Sequence, residues 1–122
     1  MNVGFTGTQK GMTSAQRIVF RGIIRTMNIT GFNHGDCVGA DEDAHSIVRF
    51  EKSKIKIRIF PPVDEKKRAF CKGDYYFQKC PYLIRNKLIV NHSHILIVCP
   101  KEEIEQLRSG TWSTVRYAKK WV

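Results

Sequence analysis

The chain is short of acidic residues and has no long apolar run. It carries 11 acidic against 21 basic residues, which gives a net charge of +10. No apolar stretch reaches the roughly 18 residues of a membrane span, and the start lacks the basic and apolar blocks of a signal peptide. We therefore expect a cytoplasmic protein without a membrane partner. The basic surface favours anionic partners, such as nucleic acid or phosphorylated metabolites, without choosing among them.

Metal-binding patterns are also missing. The four cysteines form no CxxC pair, and the four histidines show no zinc spacing, so no metal site is expected. Cys37 is either a nucleophile or an ordinary reduced thiol, because no histidine is tied to it by a pattern. Cys99 ends an apolar run and is predicted to lie in the core.

Apolar patterns predict strands that alternate with helices. The predicted strands are residues 2–6, 29–34, 55–60 and 95–99. Thr13 and Gln16 have capping-box spacing at the start of a helix. The predicted apolar face of this helix consists of Ala15, Val19, Ile23 and Met27, with Phe20 and Ile24 beside them. Residues 63–80 lack periodicity and are predicted to be a flexible segment. The alternation predicts one α/β domain over residues 1–122, a small Rossmann-like three-layer fold with a mainly parallel sheet in the order 3-2-1-4.

Three short stretches are rich in glycine and hydroxyl residues, and each precedes a predicted helix. They are residues 4–9, 35–41 and 108–114. Glycine lets backbone amides approach a ligand, and a helix start adds free N–H groups that suit phosphate. The first two stretches directly follow strands, whose carboxyl ends meet at one edge of a parallel sheet. Together they predict a nucleotide pocket.

These motifs carry a family resemblance. The ordered set GFTGTQ, GDCVGAD, PYLIRN, ILIVCP and RSGTWSTVR resembles the SLOG superfamily, which joins the DNA-processing protein A type and the LOG-type phosphoribohydrolases. It is most similar to small stand-alone SLOG proteins of bacteria and their phages. The resemblance implies a Rossmann-like domain that holds nucleotides or nucleotide-derived ligands, often as a homodimer or higher homo-oligomer. It also implies the cytoplasm of a bacterial or phage-infected cell.

The resemblance also bears on catalysis. LOG-type enzymes cleave the N-glycosidic bond of nucleoside 5′-monophosphates with a helical arginine and the glutamate of a PGGxGTxxE motif. Arg85 takes the arginine's place here, whereas Thr114 occupies the position of the glutamate. Threonine replaces poorly a carboxylate that steadies ribosyl charge or activates water. We therefore expect no catalytic residue and no cofactor, and binding rather than hydrolysis.

The predicted ligand-binding residues come from the three stretches and the arginine helix. They are Gly7, Thr8, Gln9, Gly35, Asp36, Cys37, Gly39, Ala40, Asp41, Arg85, Asn86, Ser109, Gly110, Thr111 and Thr114. Several have a structural alternative. Asp36 is expected to contact ribose hydroxyls, whereas Asp41 is either a ligand contact or a helix cap. Arg85 is either ligand-facing or a surface ion-pair partner, and Trp112 either stacks on a base or packs the helix start.

The leading functional hypothesis is binding, without turnover, of a nucleotide or a nucleotide-derived signal such as ADP-ribose or a cyclic nucleotide. The protein would act as a sensor or sequestering protein, and by analogy with phage relatives it would serve counter-defence. A LOG-like N-glycosidase that uses Asp36 or Cys37 is the first alternative. Single-stranded nucleic-acid binding is the second, and steep weakening with salt would mark it.

Overall fold

The structure, a computed structural model, describes residues 1–101 and 109–119. Strands and helices alternate along this part of the chain. In chain order the elements are β1 (Asn2–Gly7), α1 (Ser14–Thr26), β2 (Gly31–His34), α2 (Ala40–Glu51), β3 (Lys56–Ile59), a 3₁₀ turn (Glu65–Lys67), β4 (Tyr75–Tyr76), α3 (Tyr82–Asn91), β5 (Ile95–Cys99) and α4 (Gly110–Lys119). None of the described helices has the length and apolar character needed to cross a membrane.

The strands form one parallel sheet in the order β4-β3-β2-β1-β5. The four predicted strands therefore lie in the predicted order, and the α/β Rossmann-like fold class is confirmed. The additional strand β4 pairs with the end of β3 through Arg58–Tyr75 and Ile59–Tyr76. β4 consists of only two residues, and both are exposed. A strand this short shows no alternating apolar pattern in the sequence, so it was not predicted.

The core lies between the sheet and the helices that flank it. The rings of Phe5, Phe20 and Phe32 meet at centroid distances of 5.5–6.1 Å, and α1 packs on α2 as α3 packs on α4. The predicted capping box of Thr13 and Gln16 is present. The predicted apolar face of α1 is wrong in part, because Val19 is 62% exposed, whereas Phe20 and Ile24, predicted beside that face, are buried.

The segment of residues 63–80 has defined contacts instead of being loose. Arg68 forms an antiparallel bridge with Cys37, and Pro62 forms a parallel bridge with Cys80. The backbone N–H of Val38 donates to the carbonyl of Lys67 at 2.9 Å. The segment therefore packs against the loop after β2, and the prediction of a flexible segment is replaced by this packed arrangement.

The loops after β1 and β2 are joined through their backbones. The N–H of Ala40 donates to the carbonyl of Thr8 at 2.9 Å, and the N–H of Thr8 donates to the carbonyl of Cys99 at 3.0 Å. Gly39 has a φ of +97°, and a Cβ there would fall against the backbone of Gln9. Glycine is therefore required at this contact. The carboxyl ends of β1, β2 and β5 thus carry one joined group of loops.

Candidate ligand-binding site

A cavity of about 460 Å³ lies at the carboxyl ends of the strands. This volume is in the range of small-molecule sites, roughly 300–1,000 Å³. Its walls come from the loops after β1 and β2, residues 62–67, α3, and the start of α4. The lining residues are Phe5, Thr6, Gly7, Thr8, Gln9, Lys10, Cys37, Asp41, Pro62, Val63, Asp64, Lys67, Tyr82, Arg85, Asn86, Ile89, Lys101, Ser109, Gly110 and Thr111.

Most of the predicted ligand-binding residues meet in this cavity. Those that line it are Gly7, Thr8, Gln9, Cys37, Asp41, Arg85, Asn86, Ser109, Gly110 and Thr111. Those that do not line it are Gly35, Asp36, Gly39, Ala40 and Thr114. The backbone of Gly35 instead packs against the guanidinium of Arg85, while Gly39 and Ala40 join the two loops. Arg108, which opens the third predicted stretch, is outside the described residues.

Asp36 has a structural position that sequence reasoning did not anticipate. Its side chain is fully buried, and both carboxylate oxygens have partners. Oδ2 accepts from Nε of Arg68 at 2.9 Å, and Oδ1 accepts from the backbone N–H of Cys71 at 2.8 Å. The carboxylate therefore fixes residues 68–71 to the loop after β2. The expected ribose contact of Asp36 is not supported by this geometry.

The start of α4 lines the cavity with Ser109, Gly110 and Thr111, and Thr114 is not among the lining residues. Oγ of Ser109 accepts from the N–H of Trp112 at 3.3 Å, which is the contact of a helix cap. Thr114 is buried one turn further along, and its hydroxyl donates to the carbonyl of Gly110 at 2.9 Å. Thr114 is thus placed away from the cavity. Trp112 does not line the cavity either, which fits the packing alternative.

Arg85 lies in the cavity wall, but its guanidinium is engaged by the protein. The residue is only 5% exposed. Its Nη1 donates to the carbonyls of Gly35 and Phe60, which follow β2 and β3. Both Nη atoms also lie 3.5 Å from Sγ of Cys37. Arg85 is therefore not a surface ion-pair partner, and it joins the ends of two strands while facing the cavity.

Cys37 is held in the thiol form. Burial raises the pKa of its thiol, and the nearby Asp41 carboxylate acts in the same direction, while Arg85 acts against both. The thiolate is the nucleophilic form of cysteine. A raised pKa therefore argues against Cys37 as a nucleophile and leaves it as a wall residue.

Asp41 is the buried carboxyl group of the cavity. It is 6% exposed, and Oδ2 accepts from the backbone N–H of Cys37 at 3.2 Å. Oδ1 has no hydrogen-bond partner among the described residues. Burial raises the pKa of Asp41 to about 6, although Arg85 and backbone N–H groups oppose this rise. Gly39 is the N-cap of α2, so Asp41 braces the loop and does not cap the helix.

Three lysines that sequence reasoning did not select also line the cavity. They are Lys10, Lys67 and Lys101. In the part of the chain that the structure describes, no hydrogen bond or ion pair involves their Nζ atoms. Lys10 directly follows the first glycine stretch, and this adjacency is a signal that would have found it. Lys67 and Lys101 come from segments without a motif. The net positive charge of the chain indicated anionic partners but did not single out these two lysines.

A cluster of His34, His45 and Cys71 lies behind the cavity, and their ligand-type atoms are within 4.8 Å of one another. Nδ1 of His34 accepts from the backbone N–H of Asp36 at 2.9 Å, so a neutral His34 carries its proton on Nε2. That Nε2 lies 2.9 Å from Nδ1 of His45 and donates to it. Burial holds the pKa of His34 well below its usual value. Nε2 of His34 and Nδ1 of His45 are thus occupied by a hydrogen bond to each other. A metal ion would have to displace this bond, so the pair as it stands does not suit metal ligation.

The comparisons with known proteins bear on the fold. No family model matches the chain, and no curated protein matches it. One matching solved structure is the X-ray structure of TM1055, a structural genomics target, with a TM-score of 0.70 and 15% sequence identity. The match covers 98% of this chain and 69% of that one. The two proteins share a fold. At this identity the likeness carries no function from one protein to the other.

Proposed function

We propose that this protein binds a phosphorylated, nucleotide-derived ligand in the cavity and holds it without turnover, as a cytoplasmic sensor or sequestering protein. The observation that carries the proposal is the composition of the cavity wall. Lys10, Lys67 and Lys101 lie around a space that also receives the glycine loop after β1 and the start of α4. Cationic side chains and backbone N–H groups at a helix start both favour phosphate.

The rest of the wall suits the other parts of a nucleotide. Val63 and Tyr82 offer exposed apolar surface, on which a base can pack. Asp41 and Asn86 offer polar groups of the kind that orient a ligand. The ligand class we propose therefore includes nucleoside monophosphates, ADP-ribose and its cyclic derivatives.

Holding the ligand intact is supported by the placement of the candidate catalytic groups. Thr114 has its hydroxyl bonded inside α4, and Cys37 is a thiol with a raised pKa. Asp36 has both oxygens occupied. None of these three residues offers an available nucleophile or base to the cavity.

Isothermal titration calorimetry with AMP, ADP-ribose and cyclic ADP-ribose isomers tests the proposal. We expect at least one of them to bind, and the double variant Lys10→Ala/Lys67→Ala to weaken binding at least tenfold. The matched control is Lys54→Ala, since Lys54 is exposed and precedes the amino-terminal end of β3. Absence of binding by every ligand in the panel would overturn the proposal. If the double lysine variant and Lys54→Ala lose the same amount of ligand affinity, the assignment of the site to this cavity is wrong.

A second candidate function, N-glycosidic cleavage, is favoured by the buried carboxyl of Asp41. In that reaction the Asp41 carboxylate takes a proton from water while the water oxygen bonds to C1′ of ribose. The C1′–N bond breaks, its electron pair stays on the base, and the base takes up the proton. Chromatography of AMP incubated with the protein tests this candidate. Base release that Asp41→Asn abolishes would replace the binding proposal, and intact AMP would exclude this reaction for AMP.

We also propose that the protein is a homodimer or higher homo-oligomer. Tyr82, Leu83 and Ile84 at the start of α3 are half-exposed, and Tyr82 borders the cavity. Contiguous exposed apolar side chains are typical of an interaction surface. Light scattering should give a mass above that of one chain, and Leu83→Glu should reduce it. A monomeric mass for the unmodified protein would contradict this proposal.

A further inference from the structure

One carboxylate oxygen in the cavity wall has no hydrogen-bond partner among the described residues. Asp41 is more than nine-tenths buried, and its Oδ1 is the unpaired atom. Buried side-chain acceptors in native proteins nearly always have a partner, so each exception points to a missing group. Asp41 lines the cavity, although Oδ1 itself has less than 1 Å² of accessible surface. A ligand that packs closely against this carboxyl group would supply the missing donor.

The orientation of this carboxylate is fixed by its other oxygen. Oδ2 accepts from the backbone N–H of Cys37 at 3.2 Å, so Oδ1 cannot take that bond without releasing Oδ2. Arg85 is a donor in the same wall, but its Nη1 donates to the carbonyls of Gly35 and Phe60. Its Nε has no hydrogen-bond partner among the described residues, so it does not donate to Oδ1. Burial raises the pKa of Asp41 and the backbone N–H groups of Cys37 and Gly35 act to lower it, but by hydrogen-bond geometry Oδ1 has no protein donor among the described residues.

The chemistry of the wall restricts what the donor is. An ionised carboxylate only accepts hydrogen bonds, and it repels phosphate oxygens, which carry the same charge. Lys10, Lys67 and Lys101 in the same wall attract phosphate oxygens instead. A ligand that satisfies both parts carries phosphate at one position and an uncharged hydrogen-bond donor at another. In a nucleotide the sugar hydroxyls are donors that lie next to the phosphate, whereas the base suits the apolar surface of Val63 and Tyr82.

We propose that Asp41 is the specificity-determining residue of the site, and that its Oδ1 accepts a hydrogen bond from a free ribose hydroxyl of the phosphorylated ligand. This inference rests on the proposed function and adds a ligand class to it, namely ribosyl phosphates whose hydroxyls are unblocked. A site built to bond a hydroxyl rejects the analogue that lacks it, because the buried polar group then remains unpaired.

The test measures binding of AMP, 2′-deoxy-AMP and 3′-deoxy-AMP by calorimetry near neutral pH. We expect one of the deoxy analogues to bind at least about tenfold more weakly than AMP, the usual scale of a hydrogen bond to a charged group. This comparison needs no variant, so it stands even if a substitution harms folding. Inosine monophosphate, which lacks the exocyclic amine of AMP, is expected to bind as AMP does.

The substitution Asp41→Asn reverses the polarity of the atom in question. Its amide oxygen keeps the bond from the N–H of Cys37, while its amide nitrogen replaces Oδ1 and turns an acceptor into a donor. The ratio of AMP to deoxy-AMP affinity should fall to within about twofold, with pyrophosphate binding unchanged. Asp64→Asn is the matched control, since Asp64 is an exposed carboxyl of the same wall whose Oδ1 accepts from the N–H of Lys66. It should keep the preference for ribose.

The outcomes separate this inference from the proposed function. Equal binding of AMP and both deoxy analogues overturns the inference and leaves the proposed function standing. A loss with inosine monophosphate alone assigns Oδ1 to the base amine and also overturns it. If Asp41→Asn keeps the preference for AMP over the deoxy analogues, the inference is also overturned. If no phosphorylated nucleoside binds, both the inference and the proposed function are wrong.

Discussion

Two carboxylates five positions apart in one loop have opposite roles. Asp36 has both oxygens bonded within the protein, to Arg68 and to the backbone of Cys71. Asp41, which lines the cavity, uses one oxygen to brace the loop, and its other oxygen is buried without a partner among the described residues. Both residues belong to the motif that indicated a ligand site. The difference teaches that neighbouring carboxylates of one loop can serve the fold in one case and the cavity wall in the other.

The largest effect is expected from Asp36→Ala. It leaves the guanidinium of Arg68 without its buried partner, a change that costs about 3–5 kcal/mol of unfolding free energy. Asp36 also has a φ of +57°, which alanine tolerates less well than aspartate or asparagine. Urea unfolding measures the loss. Lys79→Ala is the control, because it breaks the exposed ion pair with Glu65 and should cost less than about 1 kcal/mol. If Asp36→Ala and Lys79→Ala lower the unfolding free energy by the same amount, the structural role assigned to Asp36 is wrong.

The next effect is a pH dependence that Asp41→Asn removes. The pKa of Asp41 is raised from 3.8 to about 6 by burial, so between these values the folded state holds a proton that the unfolded state has released. The wild-type protein therefore loses up to about 3 kcal/mol of stability as pH rises through this window. Unfolding of both proteins from about pH 4 to about pH 7 should show the variant gaining that amount relative to wild type. A constant difference between the two proteins would contradict the assignment.

Gly39→Ala should break the contact that joins the two loops. The substitution places a Cβ against the backbone of Gln9 at a positive φ, and we expect a loss of about 2–3 kcal/mol together with loss of ligand binding. Gly22→Ala serves as the control, since a Cβ there meets nothing within 4 Å. That substitution lies inside α1 and should stabilise the protein by about 0.5–1 kcal/mol. Normal binding by Gly39→Ala would show that the loops do not act together.

The smallest effect is expected from Cys37→Ser. The hydroxyl can take the place of the thiol beside Arg85, and the raised pKa of Cys37 means that no thiolate is lost. Unfolding free energy should change by less than about 1 kcal/mol, and calorimetry should give the wild-type affinity within about threefold. A complete loss of binding or of turnover would restore Cys37 as a reactive group.

Sequence reasoning was sound where a periodic or local signal existed. The strands at the start of the chain and at Ile95–Cys99 are continuous apolar runs, and Thr13 with Gln16 is a local cap, so these elements needed no tertiary information. Val19 and β4 were misjudged for different reasons. Which part of a broad apolar face is covered depends on the neighbouring helix, and a two-residue strand exists only because β3 is beside it.

The site was predictable as a location more than as a set of contacts. Loops after parallel strands meet at one edge, so Thr8, Cys37 and Arg85 were brought to one cavity as the motifs indicated. Whether a loop carboxylate faces inward or toward the cavity was not readable from the motif. Asp36 turns inward because Arg68, from a segment without periodicity, pairs with it. For the same reason Lys67, from that segment, was not selected.

Arg85 belongs both to the cavity wall and to the contacts that hold the sheet. Since one guanidinium holds the carbonyls that follow two different strands, a mutation there that altered ligand preference would also loosen the sheet. Among the described contacts, the side chains of Lys10, Lys67 and Val63 make no hydrogen bond or ion pair that holds the sheet. If the cavity binds a ligand as proposed, substitutions at these three positions can alter its wall while the contacts of Arg85 with the two strand ends stay in place.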